Sequence, residues 1–150
     1  MAKSVWGELL PRDTQIENNR LNQDPSAIYQ IEFEGGVEAW TINAGNWDFE
    51  VWGTGGCIRS MNNGTGWTMR KPVKSGVFSE VPFPDSTGPS ATVACLEDLI
   101  NAYEEGRLTL GNIEVTHHAT EICFAIAESH IQGRRVKLPL TSRDLYIWHV

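Results

Sequence analysis

The chain has 150 residues, 41% of them hydrophobic and 21% charged, with a formal net charge of −7. A single domain of that length buries roughly 70% of its unfolded surface, so no disulfide framework is required. The acidic balance argues against nucleic acid and anionic membranes as partners, since both are bound by concentrated basic charge, and no apolar run reaches the ~20 residues that cross a bilayer.

Met1 to Glu8 lacks the apolar core of a secretory leader, which predicts a cytoplasmic location. The three cysteines, Cys57, Cys95 and Cys123, form no Cys-x-x-Cys pair. They fit a reducing compartment and are expected to be buried, inert thiols.

Val5 to Leu10 is the first predicted strand. A polar loop through Asn18, Asn19, Asn22, Gln23 and Asp24 follows and ends at Pro25. From Ser26 the residues alternate in character up to Gly35-Gly36, and alternate again from Val37 to Asn43, which predicts a hairpin with a glycine turn. A two-residue loop there pairs Phe33 with Glu38, Ile31 with Trp40 and Tyr29 with Ile42 on an apolar face. The opposite face then carries Glu34 with Val37, Glu32 with Ala39 and Gln30 with Thr41. Trp47, Phe49 and Val51 continue as a third strand. On this register Trp40 and Trp47 face the helices, and Trp52 faces the other way.

Two short strands, Cys57 to Met61 and Trp67 to Lys71, flank an Asn-Gly turn, and Pro72 to Pro89 reads as a long irregular connection. The period then changes. Val93, Leu96, Leu99, Ile100 and Tyr103 recur at three and four residues, opposite Glu97, Asp98, Glu104 and Glu105, with Gly106 closing the helix. A second helix is predicted from Asn112 as N-cap to Gln132, stopped by Gly133, with Val115, Ala119, Ile122, Cys123, Ile126 and Ala127 on its apolar side. Val136 to Leu140 and Leu145 to Val150 return to strand-like alternation. The expected fold class is therefore α+β: an open, largely antiparallel sheet with two helices on one face and the other face available for oligomerisation. Gln30, Glu32, Ala39, Thr41 and Trp52 are the residues expected at that oligomer contact, because a sheet covered on one side leaves the other open.

Candidate chemistry is sparse. Gly53-Thr54-Gly55-Gly56 follows a strand, as a dinucleotide-binding turn would, but Ile58 stands where a third glycine belongs and no helix start follows, so a tight turn is expected. His117, His118 and His130 lack the spacing of four that sets two ligands on one helix face, which predicts packed or surface histidines rather than a metal site. No Gly-x-Ser-x-Gly elbow occurs. The six tryptophans are the compositional excess. Trp40, Trp47, Trp52 and Trp67 all fall in the strand-rich half, where they suit a doubly covered sheet or a carbohydrate platform.

Three segments, AIYQIEFEGGVEAW, FEVWGTGGCIRSMNNG, and CLEDLINAYEEGRLTLGN continuing through TEICFAIAESHIQGRRVKLPL, resemble the C-terminal domain of the glucose-fructose oxidoreductase and inositol dehydrogenase family (Gfo/Idh/MocA). The first is similar to that family's hairpin, the second to its Gly-Thr-x-Gly strand, and the third to its helix pair and closing strand. The resemblance implies an open sheet that forms a subunit interface, in enzymes that move hydride between NAD or NADP and sugars, cyclitols or polyols. The family's Rossmann domain, its catalytic lysine and its Asp-x-x-x-His helix would precede this region, so no catalytic, cofactor-binding or metal-binding residue carries over. The expectation is a domain that is inactive alone, whose partners are the parent's Rossmann domain, a sugar or polyol substrate and further copies of itself. A stand-alone carbohydrate-binding or scaffold domain using the tryptophan-rich sheet is the alternative.

Overall fold

The computed structural model describes residues 1–21, 25–42, 47–84, 88–142 and 144–147, so the Asn22 to Asp24 part of the predicted loop and the end of the closing strand lie outside the described residues. The chain divides into two compact units, Met1–Asn43 with Glu97–Val150, and Ala44–Leu96.

In the first unit, β1 (Ala2–Leu10), β3 (Ser26–Phe33), β4 (Glu38–Thr41) and β9 (Val136–Lys137) form an antiparallel sheet in the order β4-β3-β1-β9. The short β2 (Arg20–Leu21) and β10 (Tyr146–Ile147) pair in parallel. Helix α2 (Ile113–Gln132) lies on one face of the sheet. The core is Ala2, Val5, Leu9, Leu21, Ile31, Ala125, Ile126 and Val136, with Tyr29, Phe33 and Ala39 packed against it. Burying each Val, Leu or Ile there contributes about 1.5–3 kcal/mol. The ends of α2 are the ones its sequence specifies. Asn112 Oδ1 accepts the amides of Glu114 and Val115, and Gly133 takes the left-handed φ of 61° that closes the helix.

The second unit is a meander, β5 (Phe49–Gly53), β6 (Gly56–Met61), β7 (Gly66–Lys74) and β8 (Val77–Val81), in sequential antiparallel order. Helix α1 (Ala91–Glu105) crosses the division between the units and ends at Gly106, with φ 65°. The fold is thus α+β, with open antiparallel sheets and two helices, as the sequence predicts, but the strands divide between two main sheets.

The hairpin register departs by one residue. Ile31 pairs with Ala39, Gln30 with Trp40 and Tyr29 with Thr41. Gly35 and Gly36 both adopt positive φ within a single helical turn at Glu34–Gly36, and the Phe33 amide donates to the Val37 carbonyl, so three residues turn the corner rather than two. A slip of one reverses every side chain on the second strand. Trp40 therefore points away from α2 and is 67% exposed, and Trp47, at φ 52° before β5, is also exposed. Neither is the buried side chain that the two-residue loop would make it.

The expected irregular connection after Pro72 holds the end of β7 and all of β8. Pro72 is tolerated because the β7–β8 register shifts there and because β6 pairs with β7 only as far as Arg70, so no ladder partner needs the missing N–H. On α2 the residues buried are Glu121, Ala125, Ile126, Ala127 and Ser129, while Val115, Ala119 and Cys123 of the expected apolar side are exposed. Among the thiols only Cys57 is buried; Cys95 and Cys123 are exposed.

Candidate functional site: the open face of the first sheet

On the side of the sheet away from α2, cross-strand pairing sets Trp40, Gln30 and Trp6 in one row and Glu38, Glu32, Ser4 and Lys137 in the next. The polar side chains form one connected network. Gln30 Nε2 donates to Glu38 Oε2 at 2.9 Å, and the Trp40 indole N–H donates to the same oxygen at 3.1 Å. At the other end of Gln30, its Oε1 accepts from Arg135 Nη2, while Arg135 Nη1 donates to Ser4 Oγ at 3.2 Å. Ser4 donates onward to Glu32 Oε2, and Lys3 pairs with Glu32 Oε1 at 2.6 Å. The hydrogen bonds from Lys3 and then Ser4 hold the Glu32 carboxyl below its ordinary value. Gln30 is thus fixed in orientation between an acid and a guanidinium, with an indole on either side.

The five residues expected at an oligomer contact are distributed over both faces of the first sheet and the second unit. Gln30 and Glu32 belong to this open face. Ala39 and Thr41 pair with Ile31 and Tyr29 on the helix-covered face, because of the one-residue slip. Trp52 lies in the second unit, edge-on to Phe78 with ring centroids 6.0 Å apart, on the same side of its sheet as the buried Cys57. Sequence reasoning missed Trp6 and Arg135. Trp6 was legible as the alternate position of β1; Arg135 was not, since only the β1–β9 pairing brings it beside Ser4.

His118 and His130 of α2 attach the helix to the sheet. His118 Nε2 accepts the Ala2 amide at 3.0 Å, which puts the proton of a neutral ring on Nδ1, 3.7 Å from the buried Glu121 carboxylate. Glu121 also accepts the Leu140 amide. His130 bridges the Leu9 amide and the Thr14 carbonyl, and Ser129 accepts the Gly7 amide and donates to the Arg134 carbonyl. These contacts supply partners to amides of β1 beyond the short reach of β9. His118 and His130 are thus packed against the sheet, and His117 lies on the exposed surface of the helix. No group of three His, Cys, Asp or Glu placed to hold a metal occurs among the described residues. A cavity of about 220 Å³ beside α2 is lined by His117, Glu121, Phe124 and Leu140, among others.

The glycine-rich stretch does not fit a dinucleotide. Thr54 and Gly55 are the loop of the β5–β6 hairpin, and the chain continues as a strand with no helix N-terminus to receive phosphate. Gly56, at φ 130°, has no room for a side chain, since a Cβ would stand 2.1 Å from the Arg70 carbonyl oxygen. Among the described residues no helix is long and apolar enough to cross a membrane.

No family model matches the chain, and no curated protein matches it in sequence. Solved structures do. The aldose-aldose oxidoreductase of Caulobacter crescentus, crystallised with glycerol, aligns with a TM-score of 0.66 and 18% identity over 91% of this chain and 41% of its own. An oxidoreductase domain protein of Kribbella flavida aligns with a TM-score of 0.60 and 13% identity over 93% of this chain and 45% of its own. The chain spans less than half the length of either of these two structures. Both neighbours are oxidoreductases, and at this identity the likeness is one of fold, in agreement with the domain fold that the three sequence segments resemble.

Proposed function

We propose that this chain is the substrate-side and oligomerisation domain of an NAD- or NADP-dependent cytoplasmic oxidoreductase acting on sugars or polyols, and that it is inactive alone. The cofactor and the catalytic lysine come from a Rossmann domain that works with it. The observation that carries this reading is the likeness to two oxidoreductases over nine-tenths of the chain, which accounts for under half of either enzyme. The hairpin geometry of the Gly53 to Gly56 turn supports a cofactor site elsewhere, because nothing in that turn can cradle a pyrophosphate.

Self-association is drawn to the second sheet. One of its faces carries Phe49, Val51, Ile58, Trp67 and Met69 in neighbouring register, and the first two are 60% and 69% exposed. An apolar sheet face of this kind suits an isologous contact between copies. Titration of the 150-residue chain with NADH and NADPH, followed by calorimetry and by absorbance with aldoses and polyols, is expected to give neither binding nor turnover. Stoichiometric binding of either dinucleotide would overturn the reading.

A further inference from the structure

We infer that the cavity of about 220 Å³ beside α2 is a binding site for a small primary ammonium ion that carries an apolar body the size of one ring. One wall is a stripe of α2 at three- and four-residue spacing, Thr120, Glu121, Phe124 and Glu128, next to the stripe of Ile122, Ala125, Ile126 and Ser129 that packs on the sheet. The facing wall is Leu140, Ser142 and Leu145, in the segment after β9. The Leu140 amide donates to the buried Glu121 carboxylate at 2.9 Å, so the two walls are fastened together before any ligand arrives, which lowers the entropic cost of binding. The volume sets the size of the ligand. A cavity of about 150 Å³ holds a benzene ring, and the larger volume here adds room for a short charged arm.

The polar lining sets the charge. Thr120 Oγ1 gives its hydrogen to the Thr116 carbonyl at 2.8 Å, and Ser142 Oγ gives its own to Asp144 at 2.7 Å, so both hydroxyls are left as acceptors. Glu121 and Glu128 are carboxylates, which accept only, and Glu128 takes one hydrogen bond, from Gln132, of the roughly four that such a group can accept. Among the described lining residues His117 is then the one side chain able to donate. An ammonium group answers this lining, because it brings three donors and no acceptor, and its positive charge suits the carboxylates and the acidity of the whole chain. Phe124, Leu140 and Leu145 offer cover to the apolar body, with the Phe124 ring placed for offset or edge-on stacking. A sugar or polyol fits poorly, since its hydroxyl oxygens also need donors, so this site differs in chemistry from the substrate proposed above.

The test is a titration of the chain with benzylammonium chloride, using benzyl alcohol, benzoate and mannitol as controls and following backbone amide signals by nuclear magnetic resonance. Saturable shifts from Thr120 to Glu128 and at Leu140 and Ser142 are expected with benzylammonium, half-complete at about 1 mM or below. Benzyl alcohol should bind at least about tenfold more weakly, and benzoate and mannitol should give no response. Glu128→Gln should weaken benzylammonium by about tenfold and leave benzyl alcohol unchanged, a split that loss of the fold would not produce. No saturable shift at about 20 mM benzylammonium, shifts elsewhere on the chain instead, equal binding of the ammonium and the alcohol, or full affinity in Glu128→Gln would each overturn the site. The site stands apart from the oxidoreductase reading: dinucleotide binding would sink that reading and leave these amine titrations unaffected.

Discussion

Gly7 is where strand and helix come closest in the first unit. A Cβ added there would stand 2.7 Å from Ile126 Cγ2 and 3.0 Å from the Ile126 Cα, so a flexible side-chain tip cannot simply move aside. Gly7→Ala should push α2 off β1, strain the Gly7–Ser129 hydrogen bond, and cost about 1–3 kcal/mol as an overpacked contact. Trp40→Ala, which the slipped register removes from the core, should cost less than about 1 kcal/mol in the same denaturation series. Reversal of that order would return Trp40 to the helix-covered face. The alternation that revealed β3 and β4 was legible residue by residue, but it could not count the loop. Whether two or three residues turn the corner depends on the paired φ values of Gly35 and Gly36, and that count decides which face every side chain of β4 occupies.

Elements were legible where their signals are local. The Asn112 cap, the Gly133 and Gly106 stops and the Asn-Gly turn act through neighbours within a few residues, and all stand as expected. β8 was hidden because proline reads as a breaker unless the ladder around it is known. The covered face of α2 was hidden because its buried residues include Glu121 and Ser129, whose burial follows from hydrogen bonds to distant backbone amides. The link between the helices has its own anchor. Asp98 accepts the Leu110 amide at 2.7 Å and Arg107 at 2.8 Å, and Arg107 also pairs with Glu105. The Leu110 amide first and Arg107 second hold the Asp98 carboxyl below the ordinary aspartate value of 3.8. A carboxyl lowered by folding stabilises the fold above its unfolded value, and that contribution is lost as pH falls through the folded value. The loss from Asp98 therefore lies below pH 3.8. Asp98→Asn should be less stable than the parent at neutral pH, with the difference narrowing as acid unfolding is followed below that point. An unchanged gap across the titration would remove Asp98 from the anchor.

At the scale of the whole molecule, much apolar surface is uncovered in the single chain. Beyond the second sheet, Leu96, Leu99 and Ile100 on the apolar side of α1 are each 56% exposed, and that helix buries only Ala102. Periodicity of three and four revealed an amphipathic helix, and the single chain leaves its apolar side open. Light scattering at rising protein concentration should give a mass above 16.7 kDa, and Val51→Glu should return it to the monomer with the fold retained. A monomer at every concentration would overturn the self-association proposed for the second sheet.

By itself the sequence determined the class of fold, the ends of both helices, most of the strands, the turn character of Gly53 to Gly56 and the likeness to one domain of an oxidoreductase. All of these rest on short-range steric and hydrogen-bonding rules or on an ordered set of local patterns. Only the tertiary structure decided the face on which Trp40 lies, the division into two main sheets, the use of His118 and His130 to satisfy β1, and the meeting of Trp6, Gln30 and Arg135. Those outcomes depend on register and on contacts between residues more than a hundred positions apart, where a shift of one residue leaves the local pattern unchanged and reverses the surface.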